Sequence, residues 1–377
     1  MAVVAKLPPI RRPLDEDPEA SYTLPARWYH DPAVYEREMT AIFHKTWHYV
    51  GHASQVAAPG DYVTGRVADQ RVMVVRGRDG RLRGFHNTCQ HRGHQVLSGA
   101  GNLKLFMTCP YHAWAYDTEG KLRTARNCEH VAGFRKEDFG LVEVRVEEFC
   151  AFLFVNLDRQ ATPLAELVPD FAADLRARVP NLEAMRPARE CVFGGPRMKA
   201  NWKVVVDNYV ECYHCGPSHP AFADILDMAR YRQDDHGLWS RQIGVRTRNN
   251  DTIYPIRGDD AVQEGLFWFL WPATTINLLP GNAELNVLSI VPRGVESSSF
   301  TGHQYSTDGT IDEARFAYMT DVLAVEDKSL CESVQEGLHS LAFDQGRFIV
   351  DRQRSGISEH AMHRFHLLVK QALEAAA

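Results

Sequence analysis

The sequence predicts an α+β protein built in two parts, an all-β domain followed by an α+β domain. Three observations carry that reading. Residues 47 to about 155 are dense in short apolar runs broken by turn residues, among them Arg78-Asp-Gly80 and Thr118-Glu-Gly120, which read as hairpin turns. Beyond residue 155, stretches of helical spacing flank a strand-rich region at 191–305. At 377 residues and 45% hydrophobic, the chain can bury more than one core.

Residues 1 to about 25 are rich in Pro and charge and read as a loosely ordered arm. Val34, Met39, Ile42 and Phe43 then space a helix over 32–46. Segments 71–76 and 103–107 read as strands running into two Cys/His loops, and 150–155 as the last strand of the first domain. A helical stretch covers 163–178. Region 191–305 alternates strands with a helix near 202–214 and holds the apolar run 266–271. A long helix is expected over 311–343 and another over 358–375. The expected boundaries are 1–45 for the arm and helix, 46–158 for the first domain and 159–377 for the second.

A net charge of −6 argues against nucleic acid or an anionic membrane as the main partner. No apolar run approaches the length of a membrane span, and residues 1–24 lack the apolar core of a signal peptide, so a cytoplasmic protein is expected. In that reducing compartment Cys128, Cys150, Cys191, Cys212, Cys215 and Cys331 read as free thiols. Cys212 and Cys215 form a C-x-x-C beside two histidines, where lining a site is expected over a redox dithiol.

The first chemical signal is Cys89-Gln-His91 followed, after seventeen intervening residues, by Cys109-Pro-Tyr-His112. A C-x-H, C-x-x-H order suits a Rieske [2Fe–2S] cluster, whose cysteines hold one iron and whose histidines hold the other. Structural zinc sites, the alternative, usually pair C-x-x-C with a second like-spaced pair.

The second signal is Asp207-Asn-Tyr-Val-Glu211-Cys-Tyr-His214-Cys-Gly-Pro-Ser-His219. His214 falls on the predicted helix, which Gly216 and Pro217 must end, and His219 comes from the following turn, so the imidazoles can converge. Non-haem Fe(II) oxygenases complete such a pair with a carboxylate. On a helix over 321–341, Leu323, Leu330, Cys331, Val334, Leu338 and Leu341 fall within about 60° of Asp327. Asp327 therefore sits in an apolar stripe, where an ionised carboxylate is costly unless paired or metal-bound. Glu326 lies about 100° away and is the weaker candidate. Pairing of Asp327 with Arg347 or Arg352 is the plain alternative, and Asp344 and Asp351 are fallback ligands.

Together these residues resemble the catalytic α subunit of the Rieske non-haem iron oxygenases. The resemblance runs from about Trp47 to the C-terminus, through His86-Asn-Thr-Cys-Gln-His-Arg-Gly93, Cys109-Pro-Tyr-His-Ala-Trp114, Asn201-Trp-Lys203, Glu211-Cys-Tyr-His-Cys215 and Glu326-Asp327. It implies a Rieske domain followed by a helix-grip catalytic domain with an antiparallel sheet, and Fe(II) at His214, His219 and Asp327. It also implies a head-to-tail homotrimer in which the cluster of one subunit meets the iron of its neighbour. The carboxylate that joins the two centres usually lies three residues before the first iron histidine and is usually Asp; here it is Glu211. Glu-Cys-x-His-Cys, like the segment 326–338, is similar to the branch that oxidises carnitine, glycine betaine and proline betaine.

The resemblance thus implies an oxygenase component that uses O2 to hydroxylate a small quaternary ammonium compound, with N-demethylation or C–N cleavage. The chain has no Gly-rich nucleotide fingerprint, so NAD(P)H is expected to act only through a separate flavin/iron–sulfur reductase. An arene hydroxylase or O-demethylase with the same metals is the nearer alternative. A pure electron carrier is the farther one, and it should end near residue 155. A cationic substrate wants aromatic faces. Tyr209, Tyr213, Phe267, Trp268, Phe269, Trp271 and Tyr305 are candidates, with 267, 269 and 271 on one strand face; plain packing is the alternative for each.

Overall fold

The computed structural model describes residues 7–247 and 253–375, and the chain divides into two compact units. One is His44–Ala172; the other joins the segment ending at Phe43 to the chain from Ala173 onward. Residues 159–172 thus pack with the all-β unit and the N-terminal segment with the second.

In the first unit a seven-stranded antiparallel sheet runs in the order His48–His52, Phe152–Asn156, Glu143–Phe149, Leu82–His86, Gln70–Arg76, Asp61–Val67, Ala100–Asn102. The turns at 78–80 and 118–120 close hairpins as expected, with Gly80 and Gly120 at φ +79° and +83°. Segment 103–106 is not a strand. The Leu103 N–H donates to the Gly60 carbonyl and its own carbonyl accepts from Arg78, so its backbone is spent on loop contacts and only Met107–Thr108 pairs. The strand that feeds the first Cys/His loop is Leu82–His86, not 71–76. Met73, Val75, Phe85, Met107 and Tyr116 form a buried cluster that includes Cys89 and Cys109.

In the second unit another seven-stranded antiparallel sheet runs Arg186–Met198, Ser297–Ser306, Leu285–Gly294, Thr274–Leu278, Glu264–Leu270, Trp239–Val245, Arg232–Asp235. The helices Trp202–Tyr209, Ala324–Gly337 and His360–Ala375 belong to the same unit. The N-terminal segment, expected to be loose, is tied down from residue 11 onward; residues 1–6 lie outside the described chain. Gln345 accepts the Arg11 and Arg12 N–H groups, the Thr23 N–H donates to Gly346, and the Leu24 N–H donates to His366 Nδ1. Lys203 Nζ lies 2.5 Å from Glu38 Oε1 with both side chains fully buried, which fixes the Trp202–Tyr209 helix against this segment.

Two helix expectations are corrected. The helix expected over 202–214 stops at Tyr209, because the Glu211 carboxylate takes the Tyr213 and His214 N–H groups in a local turn that competes with helix. Gly216 and Pro217 do not end a helix; they lie inside the one-turn helix Cys215–Ser218, where the proline's missing N–H has no helical acceptor to lose. The long helix is continuous from Glu313 only to Gly337, with a π-helical segment at Tyr318–Leu323. That segment shifts the buried stripe to Ala324, Cys331, Gln335 and Leu338, leaving Val334 and Leu341 exposed.

Candidate metal centres and cavity

The two Cys/His loops share one backbone plan. The Cys89 N–H donates to His94 O at 2.8 Å and the Gly93 N–H to Cys89 O at 2.9 Å. In the second loop the Cys109 N–H donates to Trp114 O at 2.8 Å and the Ala113 N–H to Cys109 O at 3.0 Å. Gly93 and Ala113, each four residues after a cysteine, both take positive φ, +72° and +58°. Two like loops thus present two buried thiols and two imidazoles whose ring centroids are 4.5 Å apart. Burial pushes the Cys109 thiol up, so a thiolate there needs a cation to offset its charge. His91 Nδ1 is buried without a hydrogen-bond partner among the described residues, as a ligand atom should be. The donor set fits a [2Fe–2S] cluster.

In the second unit His214, His219 and Asp327 bring one ligand atom each within 4.8 Å of one another. Asp327 Oδ1 lies 2.9 Å from His219 Nε2 and 3.6 Å from His214 Nε2. The other ring nitrogens are held from behind. Glu211 accepts from His214 Nδ1, and Glu326 accepts from His219 Nδ1 at 2.8 Å. A carboxylate behind each imidazole fixes the tautomer that turns Nε2 forward, the usual support of a metal-binding histidine. Burial lowers the His214 pKa, but Asp327 and Glu211 outweigh it and raise it to about 10. Burial works to raise Asp327, yet the two imidazoles hold it at about 2. The constellation favours positive charge at its centre. Two imidazoles, one carboxylate and open space beside them fit Fe(II).

Neither arginine considered for Asp327 reaches it: Arg347 donates to Ser21 O and Arg352 to Glu19. The fallback ligands are engaged elsewhere, Asp344 4.0 Å from Arg11 and Asp351 with Ser355. Glu326 is not a rival of Asp327 but its complement, one residue away and on the far nitrogen of the same histidine.

A cavity opens onto these residues. Its walls carry the aromatic faces of Phe193, Tyr209, Phe222, Tyr231, Phe267 and Phe300, and the carboxylates of Glu211 and Asp327; the described lining residues include no Lys or Arg. The Tyr209 hydroxyl donates to Asn277 Oδ1 at 2.6 Å. Gln242 ties Tyr209 to Tyr231, donating to the Tyr209 carbonyl and accepting from the Tyr231 hydroxyl. Of the aromatic candidates, only Tyr209 and Phe267 line the cavity. Phe269 and Trp271 pack on Phe365 of the His360–Ala375 helix, and Trp271 lies beyond the end of its strand. The Trp268 indole is fully buried and donates to Asp174, Tyr305 is buried in its strand, and Tyr213 faces solvent. Cys212 and Cys215 do line the cavity, but as a disulfide rather than free thiols: the turn brings their Cα atoms to 4.9 Å, within bridging reach. Cys128, Cys150, Cys191 and Cys331 are unbridged. Phe193, Phe222, Tyr231 and Phe300 carry no sequence signal, coming singly from separated segments.

Comparison with known proteins agrees with this geometry. Residues 46–135 match the Rieske [2Fe-2S] domain, and residues 174–375 match the ring hydroxylating alpha subunit catalytic domain. The carnitine monooxygenase oxygenase subunit of Acinetobacter baumannii is 39% identical over 98% of this chain and 99% of its own. That of Escherichia coli is 40% identical over 95% and 96%. Choline monooxygenase of Beta vulgaris is 28% identical over 95% of this chain and 78% of its own. A quaternary ammonium Rieske monooxygenase solved with L-carnitine superposes with a TM-score of 0.84 at 38% identity, covering 94% of this chain and 97% of that one. The chain belongs to the ring-hydroxylating oxygenase alpha subunits, Rieske non-haem iron enzymes that work with a [2Fe–2S] cluster and Fe(II).

Proposed function

We propose that this chain is the oxygenase component of a two-part monooxygenase that hydroxylates a small quaternary ammonium compound of the carnitine or betaine type. The observation that carries the reading is the cavity. Six aromatic side chains, with Glu211 and Asp327 and no Lys or Arg among the described lining residues, suit a bulky cation. The named relatives act on carnitine and choline, which share a trimethylammonium head.

Cys89, His91, Cys109 and His112 would hold the cluster, and His214, His219 and Asp327 the Fe(II). Bound iron supplies the activation of O2 for attack on a C–H bond. The chain's own residues do the rest. Glu211 and Glu326 would fix the two imidazoles, and Glu211 would pass electrons and protons from His112 of a neighbouring subunit in a homotrimer. The aromatic walls seat the methylammonium head and exclude water. Hydroxylation at a carbon bonded to nitrogen yields a carbinolamine-type product that collapses to an amine and a carbonyl. Electrons come one at a time from a separate NAD(P)H-dependent flavin/iron–sulfur reductase. We place the enzyme in the cytoplasm; no helix among the described residues is long and apolar enough to cross a membrane.

The test is a single turnover, which needs no reductase. The iron-loaded protein is reduced chemically, freed of reductant, and given O2 with carnitine, γ-butyrobetaine, glycine betaine, proline betaine, choline, benzoate or a methoxybenzoate. Trimethylamine or a demethylated amine from one of the cations is the expected product. Turnover of the arenes alone would replace the reading with ring hydroxylation or O-demethylation.

A further inference from the structure

The two ligand loops match in backbone but not in what lies against their histidines. His91 lies flat on the indole of Trp114, with centroids 4.8 Å apart and planes 11° apart. Trp114 is 7% exposed and is packed edge-on by Phe134 at 5.8 Å and Phe139 at 5.5 Å, which are themselves stacked. His112 lies instead against Tyr111, which is 57% exposed. Trp114 belongs to the second loop: its carbonyl accepts the Cys109 N–H while its ring covers the histidine of the first. It therefore spans both.

We infer that Trp114 is a positioning residue for the [2Fe–2S] centre, a cross-brace from the second ligand loop that fixes the ring plane of His91 in the first. The geometry makes the two imidazoles unequal: His91 is held by a buried aromatic stack and His112 lies against an exposed tyrosine. An aromatic face also favours the more positively charged of two states. A Rieske centre becomes more negative on reduction, so the indole favours the oxidised form. Solvent exclusion by the same ring works in the same direction, since water would stabilise the added negative charge.

The inference rests on His91 as a cluster ligand, and the experiment separates the two. Trp114→Leu, which stays apolar but is smaller and has no π face, and Trp114→Phe, which keeps a smaller face, are made in the iron-loaded full chain. The cluster is followed by electron paramagnetic resonance, including nitrogen couplings, and by a redox titration at fixed pH. In Trp114→Leu the equilibrium constant for reduction is expected to rise about threefold, with broadened g-values. Trp114→Phe should return both toward the parent. Loss of the cluster in Leu with retention in Phe equally supports the brace. Parental spectra and midpoint in Trp114→Leu would overturn it, as would identical changes or identical cluster loss in both variants. A parent protein lacking two-imidazole nitrogen couplings would instead remove the ligand assignment itself.

Discussion

Removing the carboxylate behind His219 tests whether the iron site depends on residues that do not touch the metal. In Glu326→Ala the His219 Nδ1–H loses its acceptor at 2.8 Å, and the ring sits in a side chain only 2% exposed. An unpaired buried donor costs about 1–3 kcal/mol. The Glu326 side chain is 33% exposed, so water can enter the vacated space and hold the cost below the upper end. A loss of about 2 kcal/mol, or roughly thirtyfold in Fe(II) affinity, follows, within the range typical of such supporting groups. Glu326→Gln keeps an acceptor and loses only the charge, so about half that free energy, roughly fivefold, is expected. The assay is anaerobic competition for Fe(II) against a coloured chelator, with the Rieske absorbance as the internal measure of protein and cluster. Asp327→Ala serves as the reference for loss of a direct ligand. Unchanged Fe(II) retention in Glu326→Ala would refute the orienting role. A greater loss in Glu326→Ala than in Asp327→Ala would mean that the two carboxylates had been assigned the wrong way round.

Glu211→Gln should slow single-turnover product formation, normalised to bound mononuclear iron, by about a hundredfold; a rate within twofold of the parent would exclude Glu211 from the transfer step. Lys203→Met leaves the buried Glu38 carboxylate without its cation, held only by the Trp202 indole N–H, and should cost about 3–5 kcal/mol in urea unfolding, partly recovered in the Glu38→Gln/Lys203→Met pair, which keeps an acceptor for Trp202. No recovery in the double variant would show that packing, not charge, sets the penalty. Burial, with Glu211 and Asp207 nearby, raises Glu359 to about 7. Its folded pKa exceeds the unfolded value of about 4.3, so its protonated form adds stability that is full below that value and lost as pH rises through about 7. Glu359→Gln should therefore gain on the parent by about 1–2 kcal/mol between pH 4.5 and 8, after allowing for partial exposure. An equal difference at both pH values in urea titrations would rule that out.

What the sequence disclosed followed from how local each signal was. Cys89, His91, Cys109 and His112 could be read directly, because each pair lies within four residues on a turn. His214 and His219 were legible by spacing, although the end of the helix before them was not, since the Glu211 side chain diverts the backbone after Tyr209. Asp327 lies more than a hundred residues from His219 in sequence, yet its place on an apolar face singled it out, and the fold brings it beside both histidines. The phase of that face was partly misread because nothing local marks a π-helical segment. The aromatic cavity was the least legible. Alternation put Phe267 and Phe269 on one face of a strand, but the His360–Ala375 helix covers one end of that face, so one ring lines the cavity and the other is packed. Phe193, Phe222 and Phe300 meet only through the sheet and helix packing.

The strand Arg186–Met198 is interrupted at Gly194 and Gly195, both at positive φ, and its register with Ser297–Ser306 shifts there. A Cβ added at Gly194 would stand 3.2 Å from Lys328 Cβ and 3.4 Å from the Ala324 carbonyl, on the helix that carries Asp327. Any side chain at this bend is strained, and either the bend or that helix must give by a few tenths of an ångström. If that helix shifts, a survey of variants would record weakened iron binding from a substitution more than a hundred residues in sequence from Asp327, the proposed ligand. Read only by distance from the metal in the sequence, such a variant would be filed as a folding defect, when what has changed is the reach of one carboxylate.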